Sequence, residues 1–217
     1  MTARNRDRGM MEMPGSPIDD ITALVLVGGK SRRMGSDKAF LDIDGTPMFE
    51  RVLEVLRSTF PSIILTGDRR EPFARYGLPQ YADIYPGSSL GGLYTGLVHA
   101  ATDRLFVCPC DIPFPSSRVI RHLCSLAEGW DAVVPCPGHG YEPLFAVYAK
   151  SCLQPIKDQL ECSNHRVVDF YPRIRVRSVV EAELRNLDAT GLSFTGLNTP
   201  EDVEKILAVR EACRSRA

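Results

Sequence analysis

The 217-residue sequence predicts an α/β fold, a single-domain, Rossmann-like, mostly parallel doubly wound sheet. Two observations indicate it. Short apolar strand patterns alternate with helical patterns along the chain, as in repeated βαβ units. The first apolar run, Ile21–Val27, has no polar alternation, which is typical of a parallel strand covered on both faces. We expect residues 21–217 to form this domain and the polar residues 1–20, which lack the apolar core of a signal peptide, to be a disordered leader.

The elements follow from apolar spacing and from glycine or proline at their ends. Strands are expected at 21–27, 62–66, 81–84, 105–108, 132–134 and 144–148. Helices are expected at 47–60, from the glycine run 86–92 to about 101, at 115–126, and from Thr199–Asp202 onwards. In such sheets ligands bind beyond the carboxyl ends of the strands, so the residues just after each strand are the candidate site.

Composition restricts the functional class. The formal net charge is −1, so no global field attracts nucleic acid or a membrane surface, and no apolar run is long enough to span a bilayer. Seven cysteines are scattered without a C-x-x-C pair, which favours reduced thiols over a zinc site or a disulfide scaffold. We therefore expect a cytoplasmic protein with no nucleic-acid or membrane partner.

The loop after the first strand is rich in glycine and cations. Glycines allow the backbone to approach a ligand closely, and their N–H groups can form an anion-binding nest. A P-loop is excluded because Leu24 stands where its first glycine is required, and the G-x-G-x-x-G spacing is also absent. A triphosphate site and a solvated basic turn both remain compatible with this composition. The residues concerned are Gly28, Gly29, Gly35, Lys30, Arg32, Arg33 and Lys38.

The segment Leu26–Lys38 resembles the signature of the molybdenum cofactor guanylyltransferase family, the MobA-like nucleotidyltransferases. That family has the fold of the nucleotide-diphospho-sugar transferases. Further segments resemble the family's second nucleotide segment, metal-binding segment, acceptor-side segment and C-terminal motif. They are Asp83–Gly92, Cys108–Pro113, Tyr141–Leu144 and Leu197–Asp202, so the similarity extends from about Thr22 to the end.

The resemblance implies a Mg²⁺-dependent enzyme that transfers GMP from GTP to the phosphate of molybdopterin and releases pyrophosphate. It also implies possible handover of the product to molybdoenzymes or their chaperones. Arg33, Lys38 and Asp111 would be catalytic, with Asp111 as the metal ligand. The nucleotide would contact Leu26, Val27, Gly28, Gly29, Lys38, Thr66, Asp83 and Asp111.

The sequence departs from the family pattern at a few positions. Val27 stands where the family usually has alanine, Ser88 or Ser89 where it has proline, and Thr66 where it has asparagine. The pair Gly28-Gly29 favours the guanylyl branch over the cytidylyl branch. The alternatives are a related transferase that uses CTP or a sugar-phosphate acceptor, and a non-catalytic nucleotide-binding protein on the same fold. A further hypothesis has Arg166 contacting the pterin phosphate.

Overall fold

The computed structural model describes residues 15–27, 38–67, 71–197, 202–204 and 206. The strands are β1 Ile21–Leu26, β2 Asp42–Ile43, β3 Thr46–Pro47, β4 Ile63–Thr66, β5 Gln80–Tyr81, β6 Arg104–Pro109, β7 Ala132–Cys136, β8 Ala146–Ala149 and β9 Val176–Val180. The helices are α1 Met48–Arg57, α2 Ser89–His99, α3 Ser117–Ser125, α4 Leu153–Glu161 and α5 Glu181–Leu184. Short 3₁₀ segments lie at Lys38–Phe40, Glu71–Tyr76, Lys150–Cys152, Val167–Arg173 and Leu192–Phe194.

The central sheet has seven strands in the order β5-β4-β1-β6-β8-β7-β9. Every strand except β8 runs parallel to β1, and β8 is antiparallel to both of its neighbours. β2 and β3 form a separate antiparallel ribbon. The mostly parallel α/β sheet predicted from the sequence is confirmed.

Both faces of the sheet are covered, which explains the unbroken apolar run of β1. Ala23 and Val25 belong to a core cluster with residues of α1, α3 and α5, whereas Leu24 and Leu26 belong to a second cluster with residues of α2 and α4. Successive strand residues point to opposite faces, so each residue of β1 meets a helix layer. All six residues of β1 are buried.

Helix α1 begins directly after Pro47, whose fixed φ suits a helix start. Its buried residues recur at helical spacing, and each apolar side chain removed from water contributes about 1.5–3 kcal/mol to stability. They are Met48, Phe49, Val52, Leu53 and Leu56. The amphipathic helix predicted over 47–60 is therefore present and ends three residues earlier than expected, where the helix gives way to the turn at Ser58.

One predicted strand is shorter than expected. Strand β5 ends at Tyr81, and the N–H of Ile84 donates to Thr95 Oγ1 on α2 at 2.9 Å. The segment after Tyr81 therefore turns towards α2 instead of continuing along β4. Of the strand predicted over 81–84, only Tyr81 lies in β5, and the prediction was wrong for residues 82–84.

The ends of the described chain pack against the domain. The guanidinium of Arg121 donates to the carbonyls of Gly15 and Ser16, and the N–H of Ile18 donates to Thr59 O at 2.9 Å. Near the other terminus, Asp202–Glu204 are helical, and Ile206 is buried with Ile43. Within the described part of the chain, no helix combines the length and apolar character needed to cross a bilayer.

Candidate nucleotide site at the carboxyl edge of the sheet

Beside β1 the chain reverses the direction in which it adds parallel strands to the sheet. From β1 the chain proceeds to β4 and β5 on one side, and it then crosses through α2 to β6 on the other side of β1. Crevices at such switch points, beyond the carboxyl ends of the strands, are where doubly wound folds bind ligands. The candidate site therefore lies between the ends of β1 and β6.

The ends of three strands are in register at this edge. Leu26 pairs with Thr66 on β4 and with Pro109 on β6. The N–H of Val27 donates to Thr66 O at 2.8 Å, so the group that Val27 can offer a ligand is its carbonyl. Backbone carbonyls accept from N–H donors such as those of guanine.

Thr66 is 1% exposed, and its hydroxyl donates to the carbonyl of Gly92 at 3.1 Å. A Cβ added at Gly92 would lie 2.9 Å from Leu26 Cδ2, 3.3 Å from Thr66 Oγ1 and 3.5 Å from Asp83 Oδ1. Three of the sequence-predicted nucleotide residues therefore converge on one glycine of α2. Only a residue without a side chain allows the helix to approach the strand ends this closely.

The N-terminus of α2 is built for close approach to the sheet edge. Ser88 caps it, since its Oγ accepts from the N–H of Gly91 at 3.1 Å. A Cβ at Gly91 would meet the carbonyl oxygen of Tyr85 at 1.8 Å. The glycine run thus places the positive end of an 11-residue helix beside the carboxyl ends of β4 and β1, where it would stabilise an anion.

Asp111 follows β6, on the other side of the switch point. It is half-buried, and its backbone oxygen accepts from the N–H of Leu197 at 2.9 Å. Gly196 lies near its carboxyl group, since a Cβ added to that glycine would lie 3.7 Å from Asp111 Oδ1. The neighbouring Cys108 is fully buried, and this burial raises the pKa of its thiol well above the ordinary value.

The C-terminal segment that reaches Asp111 was not predicted to be part of the site. The half-buried carboxylate of Asp188 accepts from the N–H groups of Thr190, Gly191 and Ser193 and so closes a turn. Ser193 Oγ in turn accepts from the N–H of Ser116 at the start of α3. Aspartate in the sequence D-A-T-G was a turn signal that could have indicated this anchor.

The loop between β7 and β8, residues 137–145, lies at the same edge, because β7 runs parallel to β6. Glu142 is half-buried there, and burial raises the pKa of its carboxyl. His139, whose Nδ1 lies 3.4 Å from Glu142 Oε1, acts in the opposite direction and lowers that pKa. Arg166 is elsewhere in the chain, just before the 3₁₀ segment Val167–Arg173, and pairs with Asp169 at 3.6 Å.

Several predicted site residues cannot be placed. Gly28, Gly29, Arg33 and the side chain of Lys38 lie outside the described residues, as do Asn198–Glu201 of the C-terminal motif. Among the residues that are described, no group of three or more histidine, cysteine or carboxylate side chains could hold a metal ion. Asp111 is a half-buried carboxylate just beyond a strand end, and Mg²⁺ usually takes only one or two carboxylates from a protein and its remaining ligands from phosphates and water.

Comparison with known proteins agrees with this architecture. Residues 23–174 match the family model described as MobA-like NTP transferase domain. A probable molybdenum cofactor guanylyltransferase of Pelotomaculum thermopropionicum is 37% identical, over 89% of this chain and 95% of its own length. A molybdenum cofactor guanylyltransferase of Desulfosudis oleivorans is 32% identical, over 91% and 99% of the two chains.

A solved structure shares both the fold and part of the sequence. Molybdopterin-guanine dinucleotide biosynthesis protein A of Archaeoglobus fulgidus superposes with a TM-score of 0.75 at 26% identity, over 89% of this chain and 99% of its own. The family model covers most of the chain, and the two relatives align along nearly all of it. This chain belongs to the MobA-like NTP transferase family.

Proposed function

We propose that this protein transfers GMP from GTP to the phosphate of molybdopterin and forms the guanine dinucleotide cofactor. An acceptor phosphate oxygen bonds to the α-phosphorus, the bond from that phosphorus to the bridging oxygen breaks, and pyrophosphate leaves. The observation that carries the proposal is the switch-point site itself, where Asp111 and the glycine-rich start of α2 flank the end of β1. Relatives along nearly the whole chain are named for this reaction.

The nucleotide would occupy the half of the site formed by β1, β4 and β5. The carbonyls of Leu26 and Val27 and the carboxylate of Asp83 would accept the N1–H and N2–H₂ donors of guanine. Gly28 and Gly29 would allow the chain to approach the nucleotide closely. Thr66 would act by holding Gly92 and α2 against the strand ends, since its hydroxyl already donates to that carbonyl.

The phosphates would lie towards β6 and the basic loop. Arg33 and Lys38 would neutralise the triphosphate and the leaving pyrophosphate, the first as a planar donor fork and the second as a point charge. Asp111 would hold Mg²⁺, which when bound neutralises charge on the reacting phosphate. The N–H of Leu197 holds the backbone of Asp111 at 2.9 Å, and a backbone that is already held favours a preorganised site.

The experiment is a pyrophosphate-release assay with Mg²⁺ and molybdopterin, in which GTP, CTP, ATP and UTP are offered separately. We expect release with GTP and a loss of at least about 100-fold in kcat for Asp111→Asn, typical of removing a group that stabilises charge in the transition state. Asp103→Asn is the matched control, because Asp103 is an exposed carboxylate just before the same strand, at its opposite end.

The other outcomes distinguish the alternatives. Release with CTP would retain the chemistry and assign the cytidylyl branch. Pyrophosphate release only with a sugar phosphate would show that the acceptor is a sugar phosphate and not molybdopterin. Tight GTP binding without turnover of any acceptor would indicate a nucleotide-binding protein without catalysis.

The proposal extends to the biological setting. We propose that residues 21–217 act as one nucleotidyltransferase domain preceded by a leader, that the protein works in the cytoplasm, and that it hands its product to molybdoenzymes or their chaperones. A pull-down with product-loaded protein, compared with Asp111→Asn, would test the handover.

A further inference from the structure

Tyr141, in the loop between β7 and β8, is an exposed aromatic residue that is held in place at two points. Its side chain is 41% exposed. Its hydroxyl lies 2.9 Å from Ser178 Oγ on β9, and its ring meets the ring of Tyr171 edge to face, with centroids 5.3 Å apart at 83°. Because two contacts fix this ring, its exposed part is presented to solvent at a defined orientation.

The support beneath Tyr141 is itself rigid. The buried hydroxyls of Tyr148 and Tyr171 are 2.7 Å apart, and Tyr148 also donates to the carbonyl of Pro143 at 2.8 Å. A phenol has one hydrogen to donate, so Tyr171 is the donor within the tyrosine pair. Burial raises the pKa of both hydroxyls, so both remain neutral donors at physiological pH. The Tyr148 hydroxyl therefore hydrogen-bonds both to Pro143 in the loop and to Tyr171, whose ring contacts Tyr141.

Tyr141 belongs to the loop after β7, at the carboxyl edge of the sheet and on the far side of β6 from the proposed nucleotide half. Its loop leaves β7 at the carboxyl edge, and its hydroxyl reaches β9, whereas Asp111 follows β6. The strand order β6-β8-β7-β9 separates β6 from β9 by three strand spacings, roughly 14 Å at about 4.8 Å each. An acceptor with its phosphate at Asp111 would reach Tyr141 if its fused rings extended along this edge of the sheet.

We propose that the exposed ring of Tyr141 stacks on the heterocyclic ring system of the acceptor and selects a pterin over a non-aromatic phosphate ester. The inference rests on the proposed function for the identity of the acceptor. Stacking of a nitrogen heterocycle on tyrosine is favourable for any flat ring, and it gains when the ring is held in advance, because little side-chain freedom is then lost on binding.

The test measures binding and turnover separately. The binding probe is an oxidised pterin that carries a phosphomonoester side chain, titrated against glycerol phosphate as the non-aromatic probe. Tyr141→Leu is expected to weaken pterin binding roughly 10-fold and to leave glycerol phosphate and GTP binding unchanged. Tyr141→Phe and Tyr141→Trp keep a ring and are expected to stay within about 3-fold of the wild type.

A matched control removes an aromatic residue of similar exposure at the opposite edge. Trp130, 39% exposed, precedes β7, so Trp130→Ala should leave pterin binding unchanged. In the GMP-transfer assay, Tyr141→Leu should raise KM for molybdopterin while kcat and KM for GTP stay near wild-type values.

Three results would overturn the inference: pterin binding by Tyr141→Leu equal to wild type, an equal loss in Tyr141→Phe, or a parallel loss of GTP binding. Absence of GMP transfer by the wild type would reject the proposed function. The pterin titration would still decide on Tyr141, so the two failures are distinguishable.

Discussion

Thr66 Oγ1 donates a hydrogen bond of 3.1 Å to the carbonyl oxygen of Gly92, and this bond fastens the last residue of β4 to the first half of α2. Both residues are buried, and Leu26 and Asp83 contact the same point. The half of the site that we propose for the nucleotide therefore depends on the contact between Thr66 and Gly92.

Replacing Gly92 with alanine should separate α2 from the strand ends. The new methyl group would lie 2.9 Å from Leu26 Cδ2 and 3.3 Å from Thr66 Oγ1. Overpacking of this kind costs about 1–3 kcal/mol. We expect urea unfolding to show that loss and a GTP titration to show weaker binding. Val98→Ala, an exposed change on the same helix, is the control, and a Gly92→Ala protein with normal stability and GTP affinity would contradict the role of Gly92.

Thr66→Val tests the hydrogen bond without changing the shape of the side chain. The substitution leaves the Gly92 carbonyl without this buried donor, which should lower the free energy of unfolding by about 1–3 kcal/mol. Thr66→Ser keeps the hydroxyl, so its free energy of unfolding should fall by less than that of Thr66→Val. The measurement is equilibrium unfolding of the three proteins, and equal losses in Val and Ser variants would mean that the methyl group, not the bond, matters.

Asp131 should make stability depend on pH in the acid range. Hydrogen bonds from Arg175, assisted by Ser151, lower the pKa of Asp131 to about 2. An unfolded aspartate has a pKa of about 3.9, so this stabilisation is complete above that value and is lost as the pH falls through about 2. Wild type and Asp131→Asn should therefore differ most in unfolding midpoint near neutral pH and converge below about pH 2.

Asp103→Asn is the control for that series, since Asp103 is an exposed carboxylate directly before β6, as Asp131 is directly before the parallel strand β7. A wild-type advantage over Asp131→Asn that stayed constant from pH 7 to pH 2 would show that packing, and not the ionised carboxylate, provides the stabilisation.

The thiols should react with alkylating reagents in an order set by burial. Cys162 is exposed, whereas burial raises the pKa of Cys152 to about 12 and that of Cys108 well above its usual value. Because the thiolate is the reactive form, iodoacetamide at pH 8 should label Cys162 first among the cysteines that the structure describes. Peptide mass spectrometry gives the order, and early labelling of Cys108 would mean that β6 opens locally.

The sequence was sufficient for the features that depend on local pattern. The run of β1 and the helical spacing of α1 predicted their elements closely, and Asp111 was placed after β6 because an aspartate followed an apolar strand. The roles of Asp111 and the other predicted site residues stay predictions.

The features that were missed depend on distant partners. Strand β9 is an edge strand whose residues include Arg177 and Ser178, and it is defined by pairing with β7 about 44 residues earlier, as in Ala132 with Val176. Helix α4 was not predicted, because its apolar face is short and Pro155 stands in its first turn. The fixed ring of Tyr141 requires Ser178 and Tyr171, which no local pattern could bring together.

The reversed direction of β8 has a consequence for how relatives can diverge. Because β7 and β8 are antiparallel neighbours, residues 137–145 join them as a hairpin, without the helix that a parallel crossover would need. Insertions or deletions there can reshape the rim at the carboxyl edge of the sheet while every helix and the hydrogen-bond ladder stay in place. This stretch is where a lineage could exchange one acceptor for another in few mutational steps, and a library confined to it is a direct route to engineered variants.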